Sequence, residues 1–354
     1  MKKVAENCEL PWDVLDIISK TLDFDDLFQF AVVCKNWRAF YWRNLLVSQE
    51  PLLLQVSYTH HEESYSFVSL PDQKIYFLKT MNFISYFYVT SSSGYFIMAG
   101  FCNSFLLINP FTRIKKVITA STFKVVPDMF DNHALLAFGK CSEEFVMVVS
   151  CKSSRRLHVY QSRNCGWVAY SIMENLGRVV DFMVLHNIIY VVTDKANIGV
   201  LSLNSACIKF LKLKSIPNIT SLCLRLVNCD EQLLVVDLSC KKMRNVYKID
   251  FSTMNYVKLE TLGNIALFYA GKRNCYALSN PNRWGYESNS VYVINLSTYA
   301  HINLSTYTQC SVYSGDDKKL QKCIRLPAPD GKFSSILDWC FRHQKYEVDY
   351  SLVE

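Results

Sequence analysis

Two patterns of hydrophobic and polar positions divide this chain close to residue 50. Ahead of that point, apolar residues recur every three or four positions, the spacing of helices with one buried face. Beyond it, short runs of Val, Ile, Leu, Tyr and Phe alternate with polar turns, which is typical of strands. The patterns predict a small helical module followed by a much larger β domain.

The first helix is predicted directly after Pro11, because Leu15, Ile18 and Leu22 recur at helical spacing. Proline suits the first turn of a helix, where its missing N–H would have no partner. A second helix is predicted to begin at the N-cap residue Asp23, and a third to begin near Cys34.

Three helices of about ten residues each cannot bury all of their apolar surface among themselves. The module therefore needs a further partner surface, and two are possible. The helices either cap the β domain or dock onto another protein.

A strand, a tight turn and a second strand recur along the β domain. The clearest copies are SFLLINPFTRIKKVI (104–118), IGVLSLNSACIKFLKL (198–213), NVYKIDFSTMNYVKLETL (245–262) and SVYVINLSTYAHINL (290–304). Asn109, Asn204, Asp250 and Asn295 occupy the turns, where their side chains can bond the backbone two residues further on. The turns recur at about 40 to 50 residues, the length of a four-stranded propeller blade.

Two complete blades can be divided into strands, over residues 179–213 and 221–262. Together with two weaker copies of the hairpin, the pattern predicts a propeller of about six four-stranded blades. Regular units of four strands at this period are not expected of a β-sandwich or an irregular β domain. The predicted fold class is α+β multidomain, with a three-helix module ahead of an all-β propeller.

Composition and charge exclude several other classes of protein. Half of the residues are hydrophobic and 19% are charged, which is typical of a globular chain. The net charge of +7 is modest, and no basic tail or recognition motif indicates nucleic acid. The 14 cysteines include no CxxC, and the N-terminus lacks the apolar core of a signal peptide. We expect reduced thiols in a cytoplasmic or nuclear protein without membrane spans.

The sequence offers little catalytic chemistry. It contains no GxSxG, Walker loop or GxGxxG. His60 and His61 are adjacent, so an extended backbone would point them to opposite faces rather than at one metal ion. The predicted inner strands offer only Asp181 and His186 as titratable groups. The expectation is a binding protein with no metal, no cofactor and no catalytic residues.

The predicted blades also indicate a binding surface. Loops between the second and third strands share a face with the connections between blades, and our strands place 152–155, 195–197, 240–245 and 281–289 there. Several of these loops are basic, and Trp, Tyr and Arg are common anchors of interfaces. The hypothesis is that this face binds an acidic or phosphorylated protein partner; the alternative is that the Lys and Arg residues only solubilise the turns. The candidate residues are Lys152, Arg155, Lys241, Lys242, Arg244, Arg283, Trp284 and Tyr286.

Residues 10–46 closely resemble an F-box. The motif begins with Leu10-Pro11, continues through spaced aliphatic residues to Asp26-Leu27, and ends in Val-Cys-Lys-Asn-Trp-Arg, residues 33–38. The resemblance implies binding to the Skp-family adaptor of a cullin–RING (SCF-type) ubiquitin ligase. The residues it assigns to adaptor docking or to its support are Leu10, Pro11, Leu15, Ile18, Leu22, Leu27, Val33 and Trp37.

The β domain resembles the kelch-like domain of plant F-box proteins. The resemblance is carried by SSSGYFIMAG and the turn Asn-Pro-Phe-Thr, residues 109–112, although the paired glycines of a kelch blade are missing. It implies a flexible N-terminus (1–9), an F-box (10–48), a substrate-binding propeller (51–345) and a tail (346–354). Such a chain would present a protein substrate for ubiquitination by other subunits. The alternatives are a non-degradative scaffold on the adaptor, or a propeller lectin or enzyme with a helical cap.

Overall fold

The structure is a computed structural model of the chain. It describes residues 10–22, 30, 33–40, 51–58, 63–78, 85–110, 114–125, 132–140, 143–151, 156–238, 243–270, 274–294, 309–327, 333–341 and 346–351.

The N-terminal module contains two described helices, α1 (Trp12–Thr21) and α2 (Lys35–Phe40). Helix α1 begins directly after Pro11, whose carbonyl accepts hydrogen bonds from the amides of Val14 and Leu15. The first and third predicted helices are thus confirmed, while the second helix lies mostly outside the described residues. A small apolar cluster of Leu15, Phe30 and Phe40 forms the centre of this module.

The β domain is a six-bladed propeller, as the sequence predicts. Blade 1 holds β1 (Pro51–Tyr58), β2 (Glu63–Ser69) and β3 (Lys74–Phe77); blade 2 holds β4 (Tyr86–Ser92), β5 (Tyr95–Gly100), β6 (Ser104–Ile108) and β7 (Lys115–Thr119). Blade 3 holds β8 (Asn132–Gly139), β9 (Phe145–Cys151), β10 (Leu157–Gln161) and β11 (Gly166–Tyr170). Blade 4 holds β12 (Val179–Leu185), β13 (Ile188–Thr193), β14 (Ile198–Ser202) and β15 (Cys207–Phe210).

The remaining strands complete the ring. Blade 5 holds β16 (Leu224–Cys229), β17 (Gln232–Leu238), β18 (Met243–Asp250) and β19 (Asn255–Leu259). Blade 6 holds β20 (Ile265–Ala270), β21 (Cys275–Ser279), β22 (Ser290–Ile294), β23 (Gln309–Ser314) and β24 (Leu320–Arg325). The two last strands, β25 (Phe333–Phe341) and β26 (Glu347–Val348), return to blades 1 and 3.

Blades 2, 4 and 5 are simple antiparallel meanders, and the strands predicted for blades 4 and 5 are confirmed. Every residue of β12 is buried, because neighbouring blades cover both faces of its sheet. The turn at Asp250 is held as the sequence predicts: its carboxylate accepts bonds from Ser252 and Thr253, which lowers the pKa of Asp250 to about 2.

The ring is closed by β25, which pairs antiparallel with β1 and forms the inner edge of blade 1. Trp339 of β25 is fully buried and packs against Phe268 of blade 6, with the ring centroids 4.9 Å apart. This aromatic contact therefore joins blade 1, to which β25 belongs, to blade 6.

Blade 6 departs from the meander. Its innermost strand is β21, while β20 pairs antiparallel with β21 on one side and parallel with β22 on the other. A parallel pair needs a crossover rather than a hairpin turn, and residues 280–289 provide it. Of the predicted hairpin at 290–304, only residues 290–294 are among the described residues; they form β22, which pairs with β23.

The chain continues past β25 to blade 3. Strand β26 pairs in parallel with β8, and the amide of Asp349 donates to the carbonyl of Asn187 in blade 4. Tyr346 is buried beside them, and its amide donates to Ser93. The prediction of a separate tail from residue 346 is therefore wrong for residues 346–351, which belong to the propeller.

Candidate functional site

Asn36 fixes the start of α1 within the helical module. Its side chain donates to the carbonyl of Leu10 and accepts from the indole N–H of Trp12, with distances of 3.1 Å for both bonds. Phe30 and Trp37 stack at a centroid distance of 4.4 Å. The Leu10-Pro11 start of the motif is thus tied to its Asn36-Trp37 end by side-chain contacts.

The residues predicted for adaptor docking divide into two groups. Leu15 is fully buried in the module, and Leu10, Ile18, Leu22 and Trp37 are half-buried against the same cluster. These side chains support the helices. Pro11 and Val33 are exposed, and Leu27 lies outside the described residues.

Three exposed apolar residues of α1 were missed by the sequence prediction: Trp12, Val14 and Ile17. Val14 is 38% exposed and Ile17 is 64% exposed, and they follow Pro11 at intervals of three residues. Residues three apart lie on the same side of a helix. We call Pro11, Val14 and Ile17 the α1 strip. The signal was present in the sequence, because α1 is apolar on more than one face.

The propeller has two distinct ends. The amide of Leu226 bonds Asp181, and the side chain of Asn228 bonds the carbonyl of Val184, so β12 and β16 run in parallel. In the meander blades, the turns between second and third strands therefore lie at one end, together with the connections between blades. We call this the upper end. The lower end is the one at which β1 begins, at Pro51.

The structure describes only part of the predicted basic surface. Lys195 lies in the β13–β14 turn and Arg244 near the start of β18, both exposed and both at the upper end. Four other predicted residues lie outside the described residues: Lys152, Arg155, Lys241 and Lys242.

The loop 281–289 does not share this end, and its grouping with the other loops was wrong. Ser279, just ahead of it, bonds Asp230 in the β16–β17 turn, and Tyr286 donates to the carbonyl of Pro51 at 2.8 Å. Both partners mark the lower end. The reason is that β21, which precedes the loop, is the innermost strand of blade 6 rather than its second strand.

Of the three candidates on this loop, one is unavailable to a partner. Tyr286 is only 2% exposed and packs against Trp339, so it belongs to the core. Trp284 is half-buried and Arg283 is exposed, with the guanidinium over the indole ring at 5.2 Å from its centroid. These two residues lie on the same loop as Tyr286, at the lower end of the propeller rather than on the predicted binding face.

A cluster of buried titratable side chains lies at the central channel, and the sequence analysis identified only one of them, Asp181. Asp181 of blade 4 accepts a hydrogen bond from the amide of Leu226 at 2.8 Å. Burial raises the pKa of Asp181 to about 6, against the opposing charge of Arg225. Arg225 lies 3.4 Å from the imidazole of His133, so blades 3, 4 and 5 meet through these three side chains. His186, the other predicted inner-strand group, lies in a turn at the lower end instead.

A second polar network joins blades 1, 2 and 6. Asp338 accepts from Tyr88 and Thr90, while Asn274 donates to Thr90 and to the hydroxyl of Tyr276. Burial, then the nearby Asp338 carboxylate, raises the pKa of Tyr276 well above its ordinary value. Each of these groups has a structural partner, and together they fasten inner strands that are distant in sequence.

Among the residues that the structure describes, no three His, Cys, Asp or Glu side chains come together as metal ligands. No helix in the same part of the chain is long and apolar enough to span a membrane.

Several solved structures are similar to this chain at low sequence identity. A quinonprotein alcohol dehydrogenase-like protein from Bacteroides thetaiotaomicron is 11% identical, with 83% of this chain and 78% of that chain covered and a TM-score of 0.42. TolB from Acinetobacter baumannii is 12% identical, with coverages of 79% and 64% and a TM-score of 0.42. AztD from Citrobacter koseri is 12% identical, with coverages of 63% and 61% and a TM-score of 0.36. None of these similarities carries a functional argument.

Two protein-family models match the sequence, one in each domain. The F-box domain matches residues 8–40, and the KIB1-4 beta-propeller matches residues 67–316. No curated protein matches the sequence at a significant level. The predicted F-box is thus confirmed, whereas a kelch-like type and a plant origin stay predictions. Because the second match spans most of the chain, this F-box protein belongs to the KIB1-4 beta-propeller family.

Proposed function

We propose that this chain is the substrate-recognition subunit of an SCF-type cullin–RING ubiquitin ligase. The F-box would dock the Skp-family adaptor, and through it the cullin, while the propeller would bind a protein substrate. The chain would contribute proximity rather than chemistry, since ubiquitin transfer needs the substrate held close to the conjugating enzyme. We infer that it is not itself an enzyme and that it works in the cytoplasm or nucleus.

The observation that carries this proposal is the α1 strip. Its exposed apolar side chains belong to a module whose core is already filled by Leu15, Phe30 and Phe40. An exposed apolar strip beside a complete core is typical of a docking surface. Val33, which is 60% exposed, extends the apolar surface of the same module.

The test is capture of purified adaptor and cullin by the full-length chain. We expect wild type to bind, and Ile17→Asp or Val14→Asp to lose binding, because a charge would be buried at the interface. The matched control is Phe77→Asp, which places the same charge on an exposed residue of outer strand β3. Equal capture by wild type and both α1 variants would overturn the proposed docking surface.

On the substrate side, we propose that a partner binds the upper end of the propeller. This end is opposite the one where β1 begins, and it carries the exposed basic residues Lys195 and Arg244. A scaffold role without degradation is separated from a ligase role by one measurement. Reconstituted ligase should transfer ubiquitin to a captured partner, and capture without transfer would favour the scaffold.

A further inference from the structure

We propose that the upper end of blade 4 is a binding site for a partner-protein segment in which acidic residues lie between two apolar residues. This inference rests on the proposed substrate-receptor function and specifies its substrate class. The site comprises Met173, Arg178, Lys195 and Leu222, which we call the blade 4 platform.

The platform is built from three segments that are bonded to one another. The amide of Asp194 donates to the carbonyl of Arg178 at 2.8 Å, and the Asp194 carboxylate accepts from the amide of Arg178 at 3.0 Å. The carbonyl of Asp194 accepts from the amide of Ser221 at 2.8 Å. The β13–β14 turn therefore lies between the β11–β12 connection and the β15–β16 connection and holds both.

Further contacts make this arrangement rigid. Lys195 donates to the carbonyl of Asn175, and Asn197 donates to the carbonyl of Leu176, both at 3.0 Å. Gly177 has a φ of +88°, and a Cβ there would overlap the Asp194 carboxylate. A partner would therefore meet an ordered surface and would not have to order these loops on binding.

The apolar part of the platform is unusually exposed. Met173 is 71% exposed and Leu222 is 58% exposed, and they lie on the two connections that flank the turn. Among the described residues, neither side chain belongs to one of the apolar clusters of the propeller. Exposed apolar residues at a rigid surface mark interaction sites, and methionine adapts its shape to different partners.

The charged part lies between these two apolar residues. Lys195 is exposed in the turn, and the Arg178 side chain has a buried Nε–H with no hydrogen-bond partner among the described residues. The Arg178 side chain as a whole is only half-buried, so its positive charge is available to a partner. The Asp194 carboxylate already accepts from the backbone amide of Arg178. A carboxylate from a partner would complement both cations.

The test uses the full-length chain and a fluorescein-labelled peptide, Gly-Ser-Leu-Glu-Glu-Leu-Ser-Gly, followed by fluorescence anisotropy at low salt. We expect binding that weakens about tenfold or more in Arg178→Glu and in the double variant Met173→Ser/Leu222→Ser. The Arg178 backbone, not its side chain, makes the structural bonds, so the first variant should fold. Lys140→Glu, an exposed lysine at the lower end, is the matched control and should bind like wild type.

Control peptides test whether the platform recognises carboxylates and apolar side chains. A peptide with lysines in place of the glutamates, or serines in place of the leucines, should bind at least about tenfold more weakly. No binding by wild type, or equal binding by the platform variants, would overturn the site. Much tighter binding of a phosphoserine peptide would overturn the assignment of carboxylates. Adaptor capture, measured on the same platform variants, should be the same as in wild type. If wild type bound the peptide but captured no adaptor, the ligase function would be rejected and the platform would stand.

Discussion

Asp181 allows a sharp test of the buried charges in the channel. It is only 4% exposed, and burial raises the pKa of its carboxyl group from 3.8 to about 6. A shift of about two units corresponds to roughly 3 kcal/mol, since each unit is about 1.4 kcal/mol. The ionised form is therefore disfavoured in the folded protein by about that amount, even though Arg225 lies nearby.

The sign of the pH dependence follows from linkage. A raised folded pKa means that the stabilising contribution is complete below pH 3.8 and is lost as pH rises through about 6. The variant Asp181→Asn cannot ionise, and its amide oxygen can still accept from the amide of Leu226. Relative to wild type, we expect the free energy of unfolding of Asp181→Asn to increase by roughly 2–2.5 kcal/mol between pH 4 and pH 7.

The assay is urea unfolding of wild type and Asp181→Asn at several pH values, followed by tryptophan fluorescence. Asp316→Asn, the same substitution at an exposed carboxylate in the β23–β24 turn, is the control. A difference between wild type and Asp181→Asn that stays constant from pH 4 to 7, or that changes in the opposite direction, would refute the reasoning.

Three further predictions concern stability and are measured by the same unfolding assay. Trp339→Ala should cost about 3–5 kcal/mol because it empties the aromatic cluster that closes the ring; Trp339→Phe should cost clearly less, and equal costs would argue against the closure. Gly177→Ala should destabilise by more than about 1 kcal/mol, through both its positive φ and overlap with Asp194, whereas Gly263→Ala, with a φ of +58° and nothing near its Cβ, should suffer only the backbone strain. Tyr256→Phe should cost about 1–2 kcal/mol, because its hydroxyl donates to the carbonyl of Ala196 at 2.5 Å; no loss would mean that this bond is replaced in the variant.

The sequence by itself determined the local structure of this protein. Alternation of apolar and polar residues depends only on which faces are covered, so it located the strands of blades 4 and 5 closely. Turn residues such as Asp250 act on their own backbone, and the F-box motif is contiguous. Each of these signals lies within a few tens of residues, so the sequence alone was enough to predict the strands, the turns and the F-box.

Only the tertiary structure decided which strands are neighbours and which side chains stay exposed. Periodicity cannot show that β21 lies inside β20, and this one exchange moved loop 281–289 to the lower end of the propeller. It also cannot show that β25 pairs with β1 across nearly the whole chain. The exposure of Ile17 depends on how the helices of the F-box pack together, and the blade 4 platform depends on bonds between loops that are separate in sequence.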